Sequence, residues 1–194
     1  MASTRATTTL DDVPTDEELV EAARHALPAF EHLYRRYVSG VYGYCLRRLG
    51  SEADAADATS LTFTRALTNI QSCDPRSFRP WIFTIVRHVV LDYFRTNARV
   101  ADLTALEAME DPRAGPEEQA VAGDTRRLLQ EGIRRLSEEQ RSIIELRLAG
   151  LNTVEIAAVL GKSRNAIDQA QFRAVNRLRA LIRPNLAIME EPAT

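Results

Sequence analysis

The stretch "LGKSRNAIDQAQFRA", residues 160 to 174, sets amide, aromatic and basic side chains at helical spacing. Asn165 and Gln169 stand about one turn apart, and each carboxamide carries the donor and acceptor that grip adenine at N6 and N7, while Phe172 offers an apolar face to a thymine methyl. Lys162, Arg164, Arg173 and Arg177 are placed to hold phosphates and fix register. Asp168 is the exception, a carboxylate among cations. It either accepts from a cytosine amino group, repels phosphates and so suppresses non-specific binding, or pairs with Arg164 one turn back at a strength of a few tenths of a kcal/mol. The pair with Arg164 is favoured, because it needs nothing from outside the helix.

Two elements must position these residues. "NTVEIAAVL" reads as a short support helix, Gly161-Lys162-Ser163 as the turn, and the residues from Ser163 as a long second helix. Gly161 permits the left-handed backbone such a turn needs, and Ser163 is a helix cap. Ile156, Ala157 and Leu160 point inward from the support helix. At about 100° per residue, Ile167, Ala170, Ala174, Leu178 and Leu181 share the inner face of the second helix, with Asn165, Gln169, Phe172, Arg173 and Asn176 opposite. This is the helix-turn-helix pattern; taken alone, the segment also fits a solvated αα-hairpin.

A second strip lies upstream. In "FRPWIFTIVRHVVLDYFR" the positions Ile82, Ile85, Val86, Val89 and Val90 form a core-facing stripe, and Trp81, Thr84, Arg87, His88, Leu91 and Arg95 fall on the other side. Aromatics beside arginines are what unpaired bases stack upon, although a tryptophan can equally plug its own core.

Apolar residues recur at three and four throughout, never at two, so the chain is expected to be all-α. Helices are predicted from Thr15 to Leu27, Pro28 to Gly50, Ser51 to Ile70, Pro80 to Arg95, Ser137 to Gly150, Asn152 to Leu160 and Ser163 to Pro184, with capping boxes at Thr15/Glu18 and Ser137/Gln140. The organisation is two small helical domains joined by an acidic flexible linker. Residues 1–14 form a flexible tail, 15–98 the first domain, 99–124 the linker, 125–184 the helix-turn-helix domain and 185–194 a C-terminal tail.

Net charge is only −2, but it is polarised. Residues 99–125 carry 2 arginines against 7 acids, and residues 126–194 carry 12 basic residues against 8 acids. That distribution fits a basic binding module on an acidic tether. Cys45 and Cys73 have no CxxC spacing and read as ordinary reduced thiols. No stretch approaches the roughly 18 to 20 apolar residues of a membrane span, and the polar N-terminus has no signal core, so a cytoplasmic site of action is expected.

Together the two halves resemble the extracytoplasmic function sigma factors of the sigma-70 family. "FEHLYRRY", "DAADATSLTF" and "FRPWIFTIVRHVVLDYFR" are similar to that family's second conserved region, and "LSEEQRSIIELRLAGLNTVEIAAVLGKSRNAIDQAQFRAVNRLRAL" to its fourth. The resemblance implies a dissociable transcription initiation subunit whose partners are core RNA polymerase, promoter DNA and an anti-sigma protein, with no cofactor and no metal. It implies that the third helix, through Asp57, Leu61, Thr62 and Phe63, docks on the beta-prime clamp helices, with a second contact at the beta flap. It assigns Arg79, Trp81, Thr84, Arg87, His88 and Arg95 to the minus-ten element, and Lys162, Ser163, Arg164, Asn165, Gln169, Phe172, Arg173 and Arg177 to the minus-thirty-five element. By the same resemblance the acidic linker runs toward the polymerase active centre.

The chain departs from that pattern at Ala56, Ser60 and Leu61, where polar docking residues are usual, at His88, and at Asp168 and Ala170 in the recognition helix. An enzyme is disfavoured: His25, His32 and His88 lack metal-ligand spacing, and neither a phosphate loop nor a GxSxG elbow is present. A sigma-like decoy for an anti-sigma protein and a stand-alone repressor remain the alternatives.

Overall fold

The computed structural model describes residues 14–104, 129 and 131–189. Those residues form helices and turns, without a strand among them: α1 (Asp16–Ala23), α2 (Leu27–Leu49), α3 (Glu52–Thr68), α4 (Phe78–Thr104), α5 (Glu138–Leu148), α6 (Thr153–Leu160) and α7 (Arg164–Met189), with two 3-10 turns between α3 and α4.

Local chemistry sets the ends. Thr15 and Glu18 close a capping box on α1, and Ser137 and Gln140 close one on α5. Pro28 sits in the first turn of α2, where a missing amide hydrogen costs nothing. Gly50 ends that helix at φ 75°, a left-handed conformation that a side chain would strain. Ser51 takes the amide of Asp54 to start α3.

Helices α1 to α4 pack around Leu33, Val41, Tyr44, Ala55, Phe78, Ile82 and Val86, all fully buried. Cys45 and Cys73 are buried and unpaired, their thiols pushed up to about 11 by burial, which leaves them structural rather than reactive.

Three boundaries differ from the sequence expectation. Helix α1 stops at Ala23, four residues early. Helix α4 runs past Arg95 to Thr104, into the stretch read as linker, because the first strong breakers are Pro112, Gly115 and Pro116. Helix α7 continues through Pro184 to Met189, so residues 185–189 are helical rather than tail; a proline removes one rung of a helix without stopping the helix formers beyond it. The remainder of the expected linker, residues 105–124, and both chain ends lie outside the described residues.

The two domains do not stand apart. Ile143, Leu146, Leu151, Ile156 and Ala157 of the second belong to the same buried cluster as Tyr44, Phe83 and Val90 of the first. Helix α6 packs on α4, and α5 on α2. Among the described residues, Ile133, Leu136, Ile144, Ala174 and Leu178 form a separate small core.

Candidate nucleic-acid interface

The helix-turn-helix is built by two caps and a glycine. Asn152 accepts from the amides of Val154 and Glu155 at 2.9 and 3.0 Å, and Glu155 returns a bond to the Asn152 amide at 2.7 Å. Gly161 ends α6 at φ 62°. Ser163 Oγ accepts from the Ala166 amide at 3.3 Å and opens α7. Ile167 and Ala170 are buried in one cluster with Ile156 and Val159, and Ala174 and Leu178 in the other with Ile133, Leu136 and Ile144. Val159 takes the inward place expected of Leu160, which is half-buried at the edge of the core.

The opposite face of α7 is open. Asn165, Gln169, Arg173 and Asn176 are exposed, and Phe172 is 68% exposed, an unusual position for a phenyl ring with no partner to cover it. Arg164, Arg173 and Arg177 reach solvent with no ion pair among the described residues. Lys162 is instead held by Glu139 at 2.8 Å, so a phosphate must compete for it.

Asp168 corrects the sequence reading. Its carboxylate takes a hydrogen bond from Thr153 Oγ1 at 3.1 Å, across to the start of α6, instead of pairing with Arg164. The reason is the crossing of the two helices, which brings Thr153 over the first turns of α7. A periodicity argument confined to one helix cannot show that contact.

On α4, Trp81 is half-buried with its ring 5.8 Å from Phe78, so it both plugs the core and shows an edge. His88 is exposed, and Arg95 is exposed but bridged to Asp92 at 3.2 Å. Thr84 gives its hydroxyl hydrogen to Pro80 O at 2.8 Å. Arg87 is half-buried, and its Nε has no hydrogen-bond partner among the described residues. Trp81, Ile85 and His88 line a cleft of about 250 Å³ with Arg65, Asn69 and Ser72 from the end of α3 and the turn after it. The turn residues had no distinguishing signal in the sequence.

The expected docking face on α3 is half right in geometry. Asp57 is exposed and Leu61 is 43% exposed, one turn apart. Thr62 and Phe63 are buried and cannot touch a partner: Thr62 donates to Ala58 O at 2.7 Å, and Phe63 packs edge-on against Phe30 and Tyr34. They lie one and two residues beyond Leu61, which turns them into the bundle. The sequence reading missed Tyr34 of α2 as a surface residue: its exposed ring stands 4.7 Å from Phe63.

A polar seam joins the domains. Arg48 at the end of α2 forks onto Glu138 of α5 at 2.6 and 3.2 Å and reaches the buried Glu145. Arg79 lies 3.9 Å from Glu155. A side chain at Gly150 would come within 2.9 Å of the Arg79 guanidinium, so the glycine admits it. Arg79, expected to face DNA, is thus occupied by the other domain. Burial pushes the Glu145 carboxyl up to about 7, with Arg48, Arg141 and Arg47 opposing the shift.

Comparison with known proteins follows this division. Residues 33–100 match the model of sigma-70 region 2, and residues 126–178 that of sigma-70 region 4. The chain is 36% identical over 171 residues to the ECF RNA polymerase sigma factor BldN of Streptomyces coelicolor, spanning 85% of this chain but only 65% of that one. It is 34% identical to ShbA of Streptomyces griseus, covering 71% of this chain and 79% of the relative. Among solved structures, CnrH in complex with the cytosolic domain of CnrY superposes with a TM-score of 0.67 at 26% identity, over 87% of this chain and 97% of that one.

Proposed function

The chain belongs to the ECF RNA polymerase sigma factors of the sigma-70 family, and on that premise we propose that it is a dissociable polymerase subunit that directs promoter-specific initiation in the cytoplasm. Region 2 binds the beta-prime clamp helices of core polymerase through Asp57, Leu61 and Tyr34. It captures the minus-ten element with Arg79, Trp81, Arg87 and His88, beside the cleft that Trp81 and His88 line. Region 4 docks at the beta flap and reads the minus-thirty-five element with α7. The protein brings no catalytic group of its own and needs no cofactor for this role.

The observation that carries the reading is the outward face of α7, where Asn165, Gln169, Phe172 and Arg173 are all exposed in a chain that also carries region 2. Amides that can grip adenine and a ring that can meet thymine suit the major groove.

The closed arrangement is a resting form in this reading. The two promoter elements lie about 25 base pairs apart, about 85 Å along the duplex axis. Domains that share one buried core cannot reach both, so engagement of polymerase and DNA parts the seam. An anti-sigma protein is the expected binder of the closed form; the similar CnrH forms a complex with the cytosolic domain of CnrY.

Reconstituted transcription with core polymerase on genomic fragments tests the proposal. New start sites that appear only with this protein support it. Binding to an anti-sigma protein without any polymerase-dependent start site would favour the decoy, which the apolar substitutions Ala56 and Leu61 on the docking face encourage.

A further inference from the structure

We propose that Arg147 and Thr153 are positioning residues for promoter reading: with Gln171 and Asp168 they fix the angle at which α7 meets the groove, and Asp168 serves that clasp instead of a base. The inference rests on the reading of α7 as the recognition helix.

Arg147, in the last turn of α5, is half-buried and engages both other elements of the helix-turn-helix. Nε and Nη2 donate to Gln171 Oε1 on α7 at 3.1 and 2.6 Å. Nη1 donates to Leu151 O at 3.0 Å, and Nη2 to Thr153 Oγ1 at 2.8 Å. Thr153 then gives its own proton to Asp168 Oδ1 at 3.1 Å. Arginine only donates and an ionised carboxylate only accepts, so the relay has one direction, from Arg147 through Thr153 to Asp168.

The clasp supplies what the apolar contacts lack. Ile156 and Val159 share a buried cluster with Ile167 and the small Ala170 of α7, and such apolar contact resists separation more than sliding or rolling. Hydrogen bonds are directional and fix both. Asp168 and Gln171 bracket Gln169 in sequence, so the constraint acts on the turn that reads. A carboxylate at position 168 costs repulsion from phosphates; its bond to Thr153 and the nearby Arg147 cation offset that cost.

Thr153→Val keeps the branched shape and removes the hydroxyl, deleting both of its bonds, and Thr153→Ser restores the hydroxyl. Base preference at the minus-thirty-five element is read from a randomised promoter library with polymerase holoenzyme containing the full chain. Thermal unfolding and core-polymerase binding are measured beside it. Thr153→Val is expected to flatten preference at two or more adjacent positions by about three- to tenfold, with unfolding and polymerase binding kept. Thr153→Ser restores the preference. Asp168→Asn retains an acceptor and keeps the preference, while Asp168→Ala behaves like Thr153→Val. If Thr153→Val unfolds the domain, Gln171→Met breaks the clasp from its other end and gives the same readout.

Unchanged preference in Thr153→Val or Gln171→Met, while Asn165→Ala and Gln169→Ala each lose theirs, overturns the clasp alone. A change confined to one cytosine in Asp168→Asn overturns it in favour of direct readout. If neither amide substitution alters any preference, the reading of α7 itself fails and the clasp falls with it.

Discussion

Nε of Arg48 on α2 lies 3.4 Å from Oε2 of Glu145 on α5, and the two side chains are only 3% and 1% exposed. Among the described residues neither atom has a hydrogen-bond partner of its own, so each is the other's main compensation for burial. Removing one member of a buried pair costs about 3 to 5 kcal/mol when the other must stay buried. Here the survivor has an exit, because the pair spans two domains. Arg48→Ala should therefore part the domains and hydrate Glu145, seen as a larger radius of gyration in small-angle scattering with helical content retained. A lowered melting temperature at an unchanged radius would show that the seam does not open.

The same carboxyl makes closure depend on pH. Burial raises Glu145 from an ordinary 4.5 to about 7 in the closed form, and opening returns it to water. The closed form thus binds the proton more tightly, and closure gains as pH falls from about 7 toward 4.5. Above about 7 the residue is ionised in both forms and that gain is gone. Arg48, Arg47 and Arg141 face it as cations and Glu138 as an anion, and the cations temper the shift without reversing it. The radius of gyration should be smaller at about pH 6 than at about pH 8, and Glu145→Gln should flatten the difference. An equal pH response in Glu145→Gln would place the titrating group elsewhere.

Polymerase docking separates surface from core on α3. Leu61→Ala and Tyr34→Ala should each weaken core-polymerase binding by about 1 to 2 kcal/mol, the scale of an apolar contact at an interface, with little effect on melting. Phe63→Ala should instead cost about 3 to 5 kcal/mol of folding stability, because it empties a buried aromatic site. Pull-downs unaffected by either surface change, in folded protein, would move the docking site off this face.

What the sequence could and could not reveal follows from how far each signal reaches. Caps, the left-handed turn at Gly161 and the inner stripe of α7 are local, and periodicity with side-chain chemistry is enough to find them. Thr62 and Phe63 failed as contact residues because family resemblance marks positions, not orientations; both point into the bundle. The pairing of Asp168 was misjudged, and the ion pairs of Lys162 and Arg79 were missed, for one reason. Their partners Thr153, Glu139 and Glu155 sit on other helices, and no spacing rule encodes a crossing. The seam was the largest omission: the polarised charge suggested a free basic module, yet Arg48 and Arg79 of the first domain meet Glu138, Glu145 and Glu155 of the second.

Reading by α7 makes the most exacting prediction. Asn165→Ala and Gln169→Ala should each lose about 1 to 3 kcal/mol of discrimination at one base pair of the minus-thirty-five element and leave other positions intact. Arg173→Ala should weaken binding evenly across sequences and flatten the salt dependence by about one counterion, as a phosphate contact does. These measurements need holoenzyme. The net charge is −2, and Lys162 and Arg79 are already paired to acids, so the isolated chain has little electrostatic purchase on a duplex. Anisotropy with the isolated protein should give only weak, strongly salt-dependent binding. A nanomolar, sequence-specific complex at physiological salt without polymerase would identify a repressor in place of a sigma factor.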